Sequence, residues 1–251
     1  MRELQGRTAL ITGGTRGIGA AIARFYAEQG MRLALNYRAD HASARQTLAQ
    51  LPGEGHGLIP ADLSDPAQTQ AMVAQAVEAL GRLDVLVNNA AIYDYQPFWM
   101  ERYEEWQEAW KRTLNLNLMG AVNATYCALP QMRRQGGGKV IFIGSRGGFR
   151  GETEAPAYAV AKIGLVGLTR SLARALAQEK IYAYCIAPGW VETDMSRQRM
   201  EPQRERILAE IPFGRVATVE DVAGVARFLA TDAADYLTGI TITVTGGQAI
   251  F

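Results

Sequence analysis

Seven short aliphatic runs that alternate with stretches of helical period constrain this chain of 251 residues more than any other feature. The runs are TALIT at 8–12, RLALNY at 32–37, GLIPA at 57–61, DVLVN at 84–88, KVIFIG at 139–144, YAYCIA at 182–187 and TITVT at 241–245. Several are apolar at nearly every position, which is how a strand covered on both faces reads. Between them Ile18, Ile22, Phe25 and Tyr26 recur at helical spacing. So do Met72, Val73, Ala76, Val77 and Leu80, and later Val222, Val225, Ala226 and Leu229. Strands alternating with one-sided helices predict right-handed crossovers and an α/β fold: a Rossmann-type doubly wound sheet of about seven parallel strands with helices on both faces. No repeat or linker divides the sequence, so one domain is expected over residues 1–251. GEGHG near residue 55 and the glycines at 136–138 read as surface turns before strands. In such a sheet ligands bind beyond the carboxyl ends of the strands, where the strand order reverses.

Composition excludes several alternatives. With 48% hydrophobic and 20% charged residues the chain buries a large core and is not disordered. A net charge of +1 lacks the basic footprint of a nucleic-acid binder or a polybasic membrane protein. Cys127 and Cys185 form no C-x-x-C pair, and His41 and His56 stand alone, so no metal site and a reducing compartment are expected. The start has no apolar leader, and no run approaches the ~18 residues that span a bilayer, which predicts a cytoplasmic location.

Chemistry concentrates at the strand ends. After the first run comes TGGTRGIG at 12–19, where Gly13 permits a sharp turn, Gly17 lets backbone approach a pyrophosphate, and Gly19 lets helix and strand pack closely. Thr15, Arg16 and Ile18 complete that loop, whose spacing is G-x-x-x-G-x-G and not the commoner G-x-G-x-x-G. The second run ends in Tyr37 and Arg38, where an NAD site usually places an acid for the ribose. Arg16 and Arg38 favour NADP(H) over NAD(H), since two guanidiniums suit a 2′-phosphate. Arg38 also reads as a solvated loop charge, and Asp40 two residues later leaves the register open. The fifth run leads into Ser145, and Tyr158 and Lys162 follow at i, i+4 after Pro156, on one helical face. A nearby cation favours phenolate, so this pair with Ser145 supplies the proton donor and oxyanion partner that carbonyl reduction requires.

These residues resemble the short-chain dehydrogenase/reductase family in its compact branch. The likeness rests on TGGTRGIG, Asp62-Leu63, NNAA at 88–91, Asn117 in NLMG, Ser145, Tyr158 and Lys162, Pro188-Gly189 with Val191-Glu192-Thr193, and the closing TGITITVTGG. It implies a catalytic tetrad in which Tyr158 protonates the carbonyl oxygen and Ser145 hydrogen-bonds it. Lys162 lowers the Tyr158 pKa and holds the nicotinamide ribose, and Asn117 holds a water in a proton relay. For the cofactor it implies Asp62 and Leu63 around the adenine, Asn89, Ala90 and Ala91 at the ribose and floor, and Pro188, Gly189, Val191 and Thr193 at the carboxamide and diphosphate. Ala91 stands where the family commonly has Gly, and Thr245 where it commonly has Asp. Relatives of this kind are typically homotetramers built through the helices carrying Asn117 and Tyr158, so the resemblance implies a homotetramer, with a dimer as the alternative.

Within the family the chain is most similar to 3-oxoacyl-carrier-protein reductases, which implies a ketone, alcohol or acyl-thioester substrate. Arg133, Arg134 and Arg174 would then dock an acidic acyl carrier protein, or serve as solvated charges. An NAD-dependent alcohol, sugar or polyol dehydrogenase and a non-catalytic dinucleotide sensor are the competing readings. Tyr93, Tyr95, Phe149 and Trp190 are expected to line the substrate pocket, with Phe98 and Trp99 nearby. Trp99, Tyr103, Trp106 and Trp110 also have the spacing of a packed helix. Gly147, Gly148 and Gly151 are expected to loosen the segment over that pocket, and Arg146 and Arg150 are the alternative to carrier-protein docking, as contacts for a carboxylate or phosphate on a small substrate.

Overall fold

The computed structural model describes residues 4–249; residues 1–3 and the last two residues of the expected domain lie outside the described residues. Seven parallel strands form one sheet in the order β3-β2-β1-β4-β5-β6-β7. They are β1 (Thr8–Ile11), β2 (Arg32–Tyr37), β3 (Gly57–Pro60), β4 (Val85–Asn88), β5 (Gly138–Ile143), β6 (Ile181–Pro188) and β7 (Thr241–Val244). The expected doubly wound α/β architecture is present, and each strand lies within a residue or so of its apolar run.

The helices are α1 (Gly17–Glu28), α2 (His41–Ala49), α3 (Pro66–Leu80), α4 (Tyr103–Leu114), α5 (Ala121–Arg134), α6 (Arg146–Arg150), α7 (Pro156–Leu176), α8 (Asp194–Met200), α9 (Arg204–Ala209) and α10 (Val219–Leu229). Their ends follow local chemistry. The Asp65 carboxylate accepts from the amides of Ala67 and Gln68 ahead of Pro66, and Gly81 closes α3 in the left-handed conformation at φ 75°. Thr218 and Asp221 cap α10 reciprocally.

Both faces of the sheet are covered, which explains the continuous apolar runs. Along β5, Ile141 and Ile143 pack with Ile22, Tyr26, Val222 and Leu229 on one side, while Val140 and Phe142 pack with Met72, Ala124 and Leu165 on the other. Interior strands β1 and β4 are wholly buried, whereas β7 at the sheet edge is only partly so. Among the described residues no helix is long and apolar enough to cross a membrane. Nor do three His, Cys, Asp or Glu side chains gather there as a metal site would need.

Candidate active site

The strand order reverses between β1 and β4, and a cleft of about 710 Å³ opens beyond their carboxyl ends. The loop after β1 forms one wall. Gly13 and Gly17 adopt φ of 58° and 53°, a region that side chains disfavour. A Cβ on Gly19 would lie 2.2 Å from the Gly13 carbonyl oxygen, so α1 begins in direct contact with the loop. Buried polar groups hold this shape. The Asn89 side-chain amide donates to the carbonyls of Thr12 and Gly13, both at 3.0 Å, and the Thr12 hydroxyl accepts from the amides of Asn89 and Ala90. The Asn36 side chain accepts from Gly13 N–H and donates to the carbonyls of Ile59 and Ala61. Thr193, which caps α8, faces Gly17 at van der Waals distance. The cradle of backbone amides, free of Cβ atoms at the start of a helix, fits a dinucleotide pyrophosphate.

Every residue expected to hold the cofactor except Gly19 lines this cleft; Gly19 lies behind the loop as its packing contact. Arg16 and Arg38 are exposed at the β2 end beside Ser43. The Tyr37 hydroxyl turns to Nδ1 of His41 at 2.7 Å. Asp40, the acid whose register was open, accepts from the Ser43 amide as the cap of α2, and that bonding holds its carboxyl below the usual range. Asp62 accepts from the Ser64 amide and hydroxyl, and Leu63 is buried beneath it.

Ser145, Tyr158 and Lys162 meet on the far wall. The Ser145 hydroxyl caps α6 by accepting from Gly147 N–H at 3.0 Å, a role that leaves its own proton available as a donor. Lys162 Nζ donates to the Ile143 carbonyl at 2.7 Å and lies 5.5 Å from the Tyr158 ring centroid. Burial pulls the Lys162 ammonium down to about 8. Burial also raises the Tyr158 phenol, while Ser145 and the Arg199 charge draw it back and Glu152 opposes them. Desolvation is the largest of these influences on the phenol, and Ser145 and Arg199 act against it. Asn117 is buried in a π-helical turn, Asn115–Gly120, where α4 runs into α5. Its side chain accepts from Ile92 N–H and donates to the Ile92 carbonyl, both at 2.8 Å, locking that turn to the loop after β4. A Cβ on Gly120 would lie 2.9 Å from the Leu63 carbonyl oxygen, so that glycine lets the turn approach.

The substrate end differs from expectation at three points. Tyr93 and Trp190 line the cleft, but Tyr95 is exposed outside it and Phe149 packs against the core beneath. Tyr95 stands in the loop after β4, whereas Phe149 belongs to α6 and is turned to the core by that helix. Trp106 and Trp110 stack along α4 with Tyr103 and Phe98, whereas Trp99 precedes the helix and is exposed. Gly147 and Gly148 do not loosen the wall. A Cβ on Gly148 would lie 2.8 Å from the backbone nitrogen of Ile163, so this glycine lets α6 rest on the α7 backbone beside Lys162, while one on Gly147 would meet the Glu152 side chain. Arg199 and Glu152 escaped the sequence reading, having no motif around them. The Arg199 guanidinium lies 3.4 Å from the centroid of the Tyr93 ring, and Glu152 accepts from the Tyr93 hydroxyl at 3.3 Å. On the outer helices Arg133 pairs with Glu179, Arg134 donates to Gln131, and Arg174 is exposed.

Comparison with known proteins agrees with this geometry. The family model described as Enoyl-(Acyl carrier protein) reductase matches residues 13–249. The chain is 36% identical to the 3-oxoacyl-[acyl-carrier-protein] reductase FabG of Staphylococcus aureus, over 96% of this chain and 98% of that protein. It is 35% identical to the protein of that name from Escherichia coli, over 98% of each chain. Among solved structures it is similar to a short-chain dehydrogenase/reductase described as glucose/ribitol dehydrogenase from Brucella melitensis, at TM-score 0.91 and 30% identity over 99% of both chains. A short-chain dehydrogenase from Burkholderia cenocepacia, solved in complex with NADP, superposes at TM-score 0.88 with 29% identity, covering 98% of this chain and 99% of that one. On the matched length, the strand order and the cleft, the chain belongs to the short-chain dehydrogenase/reductase family of oxidoreductases.

Proposed function

We propose that the chain is an NADP(H)-dependent oxidoreductase that interconverts a ketone and a secondary alcohol. The observation that carries this reading is the convergence of Ser145, Tyr158 and Lys162 on the cleft that the glycine loop opens into. When bound, the nicotinamide supplies a hydride to the carbonyl carbon. Tyr158 gives its proton to the carbonyl oxygen, and the Ser145 hydroxyl donates a hydrogen bond to the same oxygen as negative charge grows there. Lys162, held by the Ile143 carbonyl, provides donors toward the nicotinamide ribose. Asn117 positions the wall between Ile92 and α5, and the relay water assigned by family likeness belongs beside it.

NADP(H) is favoured because the acid near the end of β2, Asp40, caps α2, while Arg16 and Arg38 flank the same end of the cleft with exposed guanidiniums. The NADP complex of the Burkholderia relative supports this choice. The acyl-carrier-protein relatives support a 3-oxoacyl thioester as one substrate class, and the reading extends to a cytoplasmic, single-domain homotetramer. Acyl carrier protein is a weaker part of it, since Arg133 is already paired with Glu179. The test is a panel of ketones, including a 3-oxoacyl thioester, with NADPH and NADH at equal concentration. Wild type should prefer NADPH, and Arg38→Ala should erode the preference by about tenfold, the worth of one charge-assisted contact. A strong preference for NADH would refute the assignment of Arg16 and Arg38.

A further inference from the structure

Resting on the carbonyl-reductase reading above, we infer that the substrate end of the cleft is built for a ketone carrying an anionic group, a carboxylate or phosphate, and that Arg146 selects it. Arg146 directly follows Ser145, lines the cleft and is only 5% exposed. Among the described residues its guanidinium makes no hydrogen bond and no ion pair, and its nitrogens are not among the sealed, orphaned polar atoms. They therefore border open space, which at this position is the cleft. Burying a guanidinium is costly unless it is paired, and arginine does not shed its proton to escape the cost. Burial and the charge of Arg150 both act against the cation here.

The arginines nearby are different. Arg150 pairs with Glu152, Arg197 with Asp194, and Arg204 with Glu192 and Glu201. Arg199, at the same end of the cleft, likewise has no carboxylate at ion-pair distance among the described residues, and it lies over the faces of Tyr93 and, at 5.8 Å, Trp190. Of the acids whose fields reach Arg146, Glu152 is engaged by Tyr93 and Arg150, and Glu210 accepts from Gln248. Two cations thus face the substrate end, and the acid between them is already committed. A planar guanidinium matches carboxylate or phosphate oxygens in bidentate fashion. Because Arg146 is the residue after Ser145, the anion and the reacting carbonyl belong to one small molecule.

The test compares 4-oxopentanoate, dihydroxyacetone phosphate and the neutral 2-pentanone, each with NADPH, for wild type, Arg146→Met and Arg146→Lys. Wild type should have a higher kcat/KM for at least one anionic ketone than for 2-pentanone. In Arg146→Met that anionic-to-neutral ratio should fall at least about tenfold, through KM, and Arg146→Lys should recover part of it. The carboxylate and phosphate arms identify which anion is meant. Equal losses on charged and neutral ketones, or a wild type that prefers 2-pentanone, would overturn the assignment. If wild type reduces none of the three, the oxidoreductase reading is what fails for them, and calorimetry of 4-oxopentanoate and 2-pentanone on NADPH-loaded protein decides the anion site separately. Carboxylate binding that Arg146→Met abolishes sustains the site, and no difference between the proteins overturns it.

Discussion

Replacing Gly19 by Ala tests how the phosphate loop is held. The new Cβ would lie 2.2 Å from the Gly13 carbonyl oxygen and 2.6 Å from Nδ2 of Asn89. Neither atom yields freely, because Asn89 donates to that oxygen and to the Thr12 carbonyl, and Gly13 holds a left-handed turn. Overpacking of this kind costs about 1–3 kcal/mol. Losing the two Asn89 hydrogen bonds adds about 0.5–1.5 kcal/mol each. The better helix propensity of alanine within α1 returns up to about 1 kcal/mol. A net loss of about 3 kcal/mol is expected, read as a lower urea midpoint with unchanged slope. NADPH affinity, followed by nucleotide fluorescence, should fall at least about tenfold because the amides that face the pyrophosphate move. Gly224→Ala is the matched control. It lies in α10 with nothing within 4 Å of the added methyl, so a gain of about 0.5–1 kcal/mol is expected. A Gly19→Ala protein as stable as this control, with NADPH binding within twofold of wild type, would refute the reasoning.

Two further outcomes follow from the ionisable groups. Because burial draws Lys162 down to about 8 from an ordinary value of 10.5, the unfolded chain holds more protons between those pH values. Wild-type stability should therefore rise relative to Lys162→Met from pH 8 to pH 10.5, by up to about 3 kcal/mol in paired urea curves. Asp221, held down to about 2 by Arg215 and the Thr218 cap, contributes stability above pH 4 that is lost as pH falls toward 2. Asp221→Asn should cost about 1 kcal/mol near neutrality, and the gap should close across that acidic window in thermal melts.

The sheet was legible because each strand is covered on both faces, so apolar runs such as 139–144 stood out against helices with a single apolar stripe. The phosphate loop was legible from its glycines, although Asn36, which holds its shape together with the motif residue Thr12, carries no motif of its own. A buried asparagine inside an otherwise apolar strand was the one available sign of it. Ser145, Tyr158 and Lys162 come together because α6 and α7 both start beyond β5 and Gly148 of α6 lets it lie against α7. The substrate end was read less well. Which way Tyr93 and Tyr95 turn depends on loop backbone, Phe149 is turned inward by the short α6, and Arg199 reaches the cleft from α8. The π-helical turn around Asn117 had no periodic signature, since one extra residue per turn is hidden in a continuous helix.

The most direct test of the central claim is steady-state NADPH oxidation by Tyr158→Phe, with a ketone that wild type reduces and NADPH binding measured on the same preparation. Removal of the proton donor should lower kcat by about 10²-fold or more. NADPH affinity should stay within about twofold, since the phenyl ring keeps its place against Tyr93 at 5.0 Å between centroids. Turnover close to that of wild type in this variant, with the fold intact, would contradict the assignment of Tyr158 as the proton donor and with it the account of the cleft as a carbonyl reductase site.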